Sequence, residues 1–78
     1  MRREEYEGYW VEADCGPLGS SWACATRIGR TGIPGSERFP DVHRYRTKAE
    51  GVDGAIIQGK GIVDDHKSGL SVTLVRLR

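Results

Sequence analysis

No run of apolar residues in this chain approaches the roughly 18 that a membrane-spanning helix needs. The N-terminal residues also lack the apolar segment of a signal peptide, because Met1 is followed by two arginines and two glutamates. A chain of 78 residues forms one small domain, and a domain of this size buries only about 60% of the surface of its unfolded chain. We therefore expect a small cytoplasmic protein with a thin core and no membrane partner.

The sequence also lacks an excess of charge of one sign. Its formal net charge is +1, so the chain as a whole is not expected to attract nucleic acid or membranes. The charges are segregated, however: two arginines and five carboxylates give −3 over residues 1–16, and six basic and two acidic residues give +4 over residues 27–48. Such segregation is typical of a solvated surface, and it also favours a polar partner or self-association.

Cysteine is scarce, with only Cys15 and Cys24. A bridge between two predicted strands is geometrically conceivable, but the reducing cytoplasm argues against it, so we expect small buried residues with free thiols. A zinc site would need two further ligands, and His43 and His66 are too scattered to supply them. The sequence thus predicts no metal and no cofactor.

Three segments have the pattern of strands. Residues 6–15 and 21–29 alternate between apolar and polar positions, and the turn residues 16–20 between them predict a hairpin. A short third strand is expected around 36–39 and should end at Pro40, with an extended run leading to a helix. The last eight residues, SVTLVRLR, are apolar on both faces, and we expect them to pair with a sheet edge.

The helix has a clear start and one apolar face. Thr47 and Glu50 form a capping box. Residues with three- and four-residue spacing then form a stripe of four to five turns, at positions 49, 52, 56, 59, 63 and 66. Four glycines weaken this helix by about 1 kcal/mol each relative to alanine. We expect Gly59 and Gly51 to allow close packing on the sheet, whereas the sequence offers no reason for the other two, Gly54 and Gly61.

The segment GAIIQGKG at residues 54–61 resembles a phosphate-binding loop of the form G-x-x-x-x-G-K-[ST]. It has Gly61 in place of the hydroxyl that binds magnesium, and a capped helical pattern precedes it where a phosphate-binding loop requires a buried parallel strand. We therefore interpret it as part of the helix. The predicted fold class is α+β, one domain over residues 1–78 with its core at about 6–66. An antiparallel sheet of three strands, or four, packs against one long C-terminal helix.

The order of these motifs is similar to that in a family of small uncharacterised bacterial proteins. The shared positions are Tyr6-x-Gly8-Tyr9-x-Val11, Trp22, Phe39, Tyr45, Thr47-x-x-Glu50 and Ile56-x-x-Gly59-x-x-Ile62-Val63-Asp64. The resemblance covers about residues 6–65 and implies a β-β-β-α domain of unknown function. Gly51 departs from it, since those proteins usually have alanine there. The resemblance supports an architecture and brings no activity.

The leading functional hypothesis is a small non-enzymatic binding module for a protein partner or for a second copy. If the helix covers the face of Tyr9 and Val11, then Trp10 lies on the opposite face beside Ala23 and Ala25. There it is either exposed as an interface anchor or covered by the C-terminal segment, and the sequence favours neither. The candidate partner-binding residues are Trp10, Arg38, His43, Arg44, Arg46 and Lys48.

Nucleic-acid binding by the basic stretch 38–48 is the alternative. The order of strands and helix resembles the double-stranded RNA-binding domain, but that domain has several lysines at this helix start, where only Lys48 occurs here, and an N-terminal helix that residues 1–5 cannot supply. The net charge of this chain, +1, also makes nucleic acid a less favoured partner.

An enzyme is the third hypothesis. The sequence Asp64-Asp65-His66 does not converge on one ligand, because adjacent helical residues point about 100° apart. Ser20 or Ser21 with His43 and Asp41 has no nucleophile-elbow context. We predict no catalytic residues.

Overall fold

The computed structural model of the protein describes residues 2–69. Its elements are β1 (Arg3–Tyr6), β2 (Tyr9–Leu18), β3 (Ser21–Arg30), β4 (Glu37–Tyr45) and α1 (Lys48–Lys67). The strands form one antiparallel sheet in chain order, and α1 packs across one face, mainly on β2 and β3. This confirms the α+β prediction of an antiparallel sheet with one long C-terminal helix. Within residues 2–69, no helix has both the length and the apolar character to cross a membrane.

The fourth strand comes from the N-terminus. Residues 7 and 8 form a two-residue turn in which Glu7 has φ 53° and Gly8 has φ 85°, the backbone geometry that suits tight hairpins. β1 pairs with β2 from Arg3↔Glu12 to Tyr6↔Tyr9. The expectation that residues 71–78 pair with a sheet edge concerns residues outside the described part of the chain.

β4 is longer than predicted. It continues past Pro40 to Tyr45, so the expectation that Pro40 ends the strand is wrong. Proline is tolerated here because β4 pairs on one side only with β3 among the described strands. The register shifts between Ala23 and Ala25. Ala25 pairs with Pro40 and Ala23 with Arg44, so β4 has three residues between these two pairs where β3 has one. The two extra residues of β4 form a bulge.

The core lies between α1 and the sheet. Val11 and Ile28 are paired across β2 and β3 and are fully buried, as is Val63 of the helix. Side chains alternate along a strand, so the odd-numbered residues of β2 and the even-numbered residues of β3 face α1. Thr47 caps the helix by accepting a hydrogen bond from the Glu50 amide, which confirms the predicted start.

Three helix glycines allow close contacts with the sheet. A Cβ at Gly59 would overlap Val11 and lie 2.7 Å from Cγ2 of Thr26, and one at Gly51 would lie 2.5 Å from Sγ of Cys24. These contacts confirm the prediction of close approach. Gly54, for which the sequence offered no reason, lies against the hydroxyl of Tyr45.

Candidate functional site

The candidate site is the face of the sheet opposite α1, which we call the outer face. The register places eight charged or aromatic side chains of the four strands on it: Arg3, Glu5, Trp10, Glu12, Asp14, Arg27, Arg38 and Arg44. Between them lie small residues, because Gly29 is paired with Trp10, Ala25 with Asp14, and Ala23 with Gly16. No other helix or strand among residues 2–69 lies across this face.

Trp10 is held between a glycine and an arginine. Its indole ring lies over Gly29, where any Cβ would overlap the ring. The guanidinium carbon of Arg3 lies 4.1 Å from the ring centroid, in cation–π geometry. The expectation that Trp10 lies beside Ala23 and Ala25 is wrong, because the register sets it against Gly29. Trp10 is therefore partly buried by its own chain.

One row of charged side chains runs across all four strands. The register aligns them as Arg3, Glu12, Arg27 and Arg38. Glu12 is only 7% exposed, and its Oε2 lies 2.9 Å from Nη2 of Arg3. Arg27 donates to Oγ of Ser36 at 3.3 Å, and Nε of Arg38 lies 4.0 Å from a carboxylate oxygen of Asp14. The central carboxylate of this row is thus almost fully buried and is paired with Arg3.

The outer face is divided into an acidic half and a basic half. The β1–β2 half has Arg3, Glu5, Glu12 and Asp14, and the β3–β4 half has Arg27, Arg38 and Arg44. One base and three acids give the first half a formal charge of −2, and three bases give the second half +3. Much of the charge segregation seen along the sequence therefore reappears as two adjacent halves of one surface.

The bulge of β4 forms a second polar cluster, around Asp41. The Asp41 side chain is 2% exposed; its Oδ1 accepts a hydrogen bond from the His43 amide at 2.9 Å and lies 2.8 Å from Nδ1 of the His43 ring. Its Oδ2 accepts a bond from the Tyr45 hydroxyl at 2.5 Å. Burial raises the pKa of Asp41, but the hydrogen bonds from Tyr45 and His43 outweigh burial and lower it. The same bond, with burial, raises the pKa of Tyr45 to about 12.

The structure brings together only part of the predicted binding set. Trp10, Arg38 and Arg44 share the outer face. His43 is held in the bulge with its ring 75% exposed, whereas Arg46 and Lys48 lie beyond β4, in the connection and at the start of α1. Sequence reasoning missed the role of Arg3 and Arg27 on this face. The alternation of residues 21–29 could have found Arg27, but the charged segment around Arg3 had no strand pattern.

Both edge strands of the described sheet have features that oppose strand addition. β4 has Pro40, the bulge and exposed arginines, and β1 has only four residues, three of them charged. Val42, which is 85% exposed, is the most exposed large hydrophobic residue of the described chain and lies within the bulge. These features disfavour the edges of the described sheet as sites for an added strand.

The two cysteines are bonded. Cys15 and Cys24 form a disulfide with a Cα–Cα distance of 4.1 Å, so the expectation of free thiols is wrong. The two residues are directly opposite each other in the β2–β3 register, which brings the sulfurs together. Free thiols were expected because the cytoplasm is reducing, and that expectation did not depend on how the two strands pair.

Comparison of the chain with protein-family models, with curated proteins and with solved structures finds no match. The resemblance to the small bacterial family therefore stays a prediction. Within residues 2–69 there is no detected pocket and no group of three or more His, Cys, Asp or Glu side chains placed to hold one metal ion. The outer face is an open surface, and its chemistry is that of charged and aromatic contacts.

Proposed function

We propose that the protein is a small non-enzymatic binding module whose outer face binds a second copy of the same chain. The observation that supports this most is the division of that face into a half of charge −2 and a half of charge +3. Arginine and tryptophan, which are enriched among the residues that dominate binding energy, both lie on it.

The charge pattern is self-complementary for one two-fold arrangement. With the axis between the two sheets and parallel to the strands, β1 of one copy faces β4 of the other, and β2 faces β3. The acidic half then faces the basic half in both directions, as an isologous interface requires. In this arrangement Glu12 of each copy faces Arg27 of the other, because the two are paired within one copy.

The area of the face suits a weak dimer. Four strands of four to ten residues, spaced about 4.8 Å apart with a rise of about 3.3 Å per residue, present roughly 500 Å². Two such faces bury about 1,000 Å² together, which is near the lower limit for a specific interface. We expect association that depends on concentration and weakens with salt, since exposed charge pairs are screened.

Light scattering at low and high ionic strength tests this proposal. We expect a dimer at low salt, a larger monomer fraction at high salt, and a loss of dimer in Arg38→Glu. The matched control is Arg46→Glu, which makes the same charge change outside the sheet. A single monomer mass at every concentration and salt, or equal effects of the two variants, would contradict self-association and leave the face for a different protein.

The alternative proposal is a nucleic-acid-binding module that uses the basic stretch 38–48. Its support is exposure: Arg38, His43, Arg44, Arg46 and Lys48 are all exposed. Stacking of a base on Trp10 is not part of it, because Gly29 and Arg3 lie against that ring. A labelled oligonucleotide whose anisotropy rises with protein, and whose affinity falls steeply with salt, would favour this alternative.

We also propose a cytoplasmic location, and the disulfide makes it testable. Structural disulfides persist in oxidising compartments and are rare in the cytosol. Rapid alkylation of thiols in intact cells, followed by mass measurement, should find at least part of the Cys15–Cys24 pair reduced. A fully oxidised population would place the protein in an oxidising compartment.

A further inference from the structure

The disulfide joins two cysteines with different surroundings. Cys24 is 6% exposed, whereas Cys15 is only partly buried, and the pair lies three positions from the loop of the β2–β3 hairpin. Their Cα distance of 4.1 Å is that of a non-hydrogen-bonded pair in an antiparallel ladder, in which the side chains are closest. An external thiol can therefore approach the Cys15 sulfur more easily than the Cys24 sulfur.

The first turn of α1 lies over the buried sulfur. Gly51 is the fourth residue of the helix, and a Cβ at this position would lie 2.5 Å from Sγ of Cys24 and 3.4 Å from Sγ of Cys15. The N-terminal turn of a helix is the positive end of its dipole and stabilises negative charge nearby. A thiolate at Cys24 would be stabilised in this position, as thiolates at helix N-termini are.

We propose that Cys15–Cys24 is a thiol–disulfide exchange site whose reactant is a small thiol or dithiol. The thiolate of the reactant attacks Sγ of Cys15, the bond between the two protein sulfurs breaks, and its electron pair passes to Cys24 as a thiolate. A leaving thiolate that is stabilised by its surroundings departs more readily, and the first turn of α1 supplies this stabilisation through the positive end of the helix dipole. The second thiolate of a dithiol then attacks its own sulfur in the mixed disulfide and releases Cys15. The dithiol becomes a disulfide, and the protein gains two electrons and two protons.

This site is independent of the proposed self-association. It lies on the face of the sheet that α1 covers, whereas the dimer contact uses the outer face. Exchange is read from the mass of one chain, so it succeeds or fails whatever the oligomeric state.

The first experiment uses the unaltered protein. It is incubated with dithiothreitol without denaturant, blocked with N-ethylmaleimide and weighed by mass spectrometry, while circular dichroism monitors the fold. We expect two labels per chain with the fold retained. Labels that appear only at denaturant concentrations that unfold the chain would overturn the proposal, since exchange would then require the unfolded state.

The second experiment assigns the attacked sulfur. Cys24→Ala leaves only Cys15, and Cys15→Ala leaves only Cys24, and each variant is incubated with oxidised glutathione after its fold has been checked by circular dichroism. We expect Cys15 to form the mixed disulfide roughly tenfold or more faster, because access controls thiol reactivity. Equal rates, or faster reaction at Cys24, would overturn the assignment of Cys15 as the attacked sulfur.

Discussion

Thr26 of β3 donates a hydrogen bond from its hydroxyl to the backbone carbonyl of Ala55 in α1 at 2.8 Å, and neither residue is exposed to solvent. A methyl group of Thr26 also lies within reach of the missing Cβ of Gly59. One side chain thus supplies both a polar and an apolar contact between the helix and the centre of the sheet. These two contacts hold α1 close to β3 at the centre of the sheet.

Replacing Thr26 with valine should destabilise the protein by about 1 kcal/mol, because the bond is lost while the volume is kept. For a domain of this size, that corresponds to a decrease of roughly 4–8 °C in melting temperature. Thr26→Ser is the control, since it retains the hydroxyl and loses the methyl. Urea unfolding of the three proteins gives the comparison, and a valine variant as stable as the parent would show that the bond adds nothing.

Alanine at Gly59 and alanine at Gly61 should change stability in opposite directions. At Gly59 the new methyl overlaps Val11 and Thr26, and overpacking of this kind costs typically 1–3 kcal/mol. At Gly61 no atom of the described structure lies within 4 Å of the new methyl, apart from its chain neighbours and the adjacent helix backbone, so the helix should gain about 1 kcal/mol from the better helix former. Thermal melts of both variants measure this. A change of the same sign in both would mean that helix propensity, and not the close contact, decides the outcome.

Stability should decrease in alkaline solution because of Tyr45. Its hydrogen bond to Asp41, together with burial, raises its pKa from 10.0 to about 12, so the folded protein holds this proton more tightly than the unfolded chain. The stabilisation is therefore complete below about pH 10 and is lost as the pH rises to about 12. Tyr45→Phe should reduce the slope of unfolding free energy against pH in this interval. The same slope in both proteins would show that Tyr45 does not hold its proton in this way.

Removal of the Arg3 side chain should expose Trp10. In a Trp22→Phe background, where Trp10 is the only tryptophan, Arg3→Ala should increase quenching by acrylamide because the guanidinium no longer lies over the indole ring. Arg2→Ala is the matched control, since Arg2 pairs with Glu4 and Asp53 instead. Quenching that is equal in the two variants would mean that Arg3 does not cover the ring in solution.

The sequence predicted the helix well because its signals are local. Thr47 and Glu50 are three residues apart, and Gly59 falls on the buried stripe, so neither prediction needed knowledge of distant residues. β1 was missed because its sequence, REEY, has no apolar alternation. It is held by pairing with β2 and by contacts with the helix that include a Glu4–Lys60 ion pair at 2.9 Å and a hydrogen bond from Tyr6 to Asp64 at 2.7 Å.

The error about the neighbours of Trp10 came from the register, whereas the error about the cysteines came from the assumed reducing compartment. The sequence was interpreted with a five-residue connection at 16–20, whereas the strands extend to Leu18↔Ser21 around a loop of two residues. That register sets Cys15 opposite Cys24. The same register sets Trp10 opposite Gly29. Register depends on loop length, and with turn residues throughout GPLGS the sequence left that length open.

The length of the two-residue loop at Gly19–Ser20 therefore sets the register of the β2–β3 hairpin. One inserted residue would shift β3 against β2, reverse which side chains of one strand reach the core, and separate the sulfurs. The segment between β3 and β4 does not set the β2–β3 register, and its residues 31–35 are all exposed. An epitope tag should be accepted there with little loss of stability. A single residue inserted between Gly19 and Ser20 should cost more stability, because it changes the loop that sets the Cys15–Cys24 pairing. The connection after β3 can thus vary in length without touching the β2–β3 pairing, whereas a one-residue change before β3 acts directly on it.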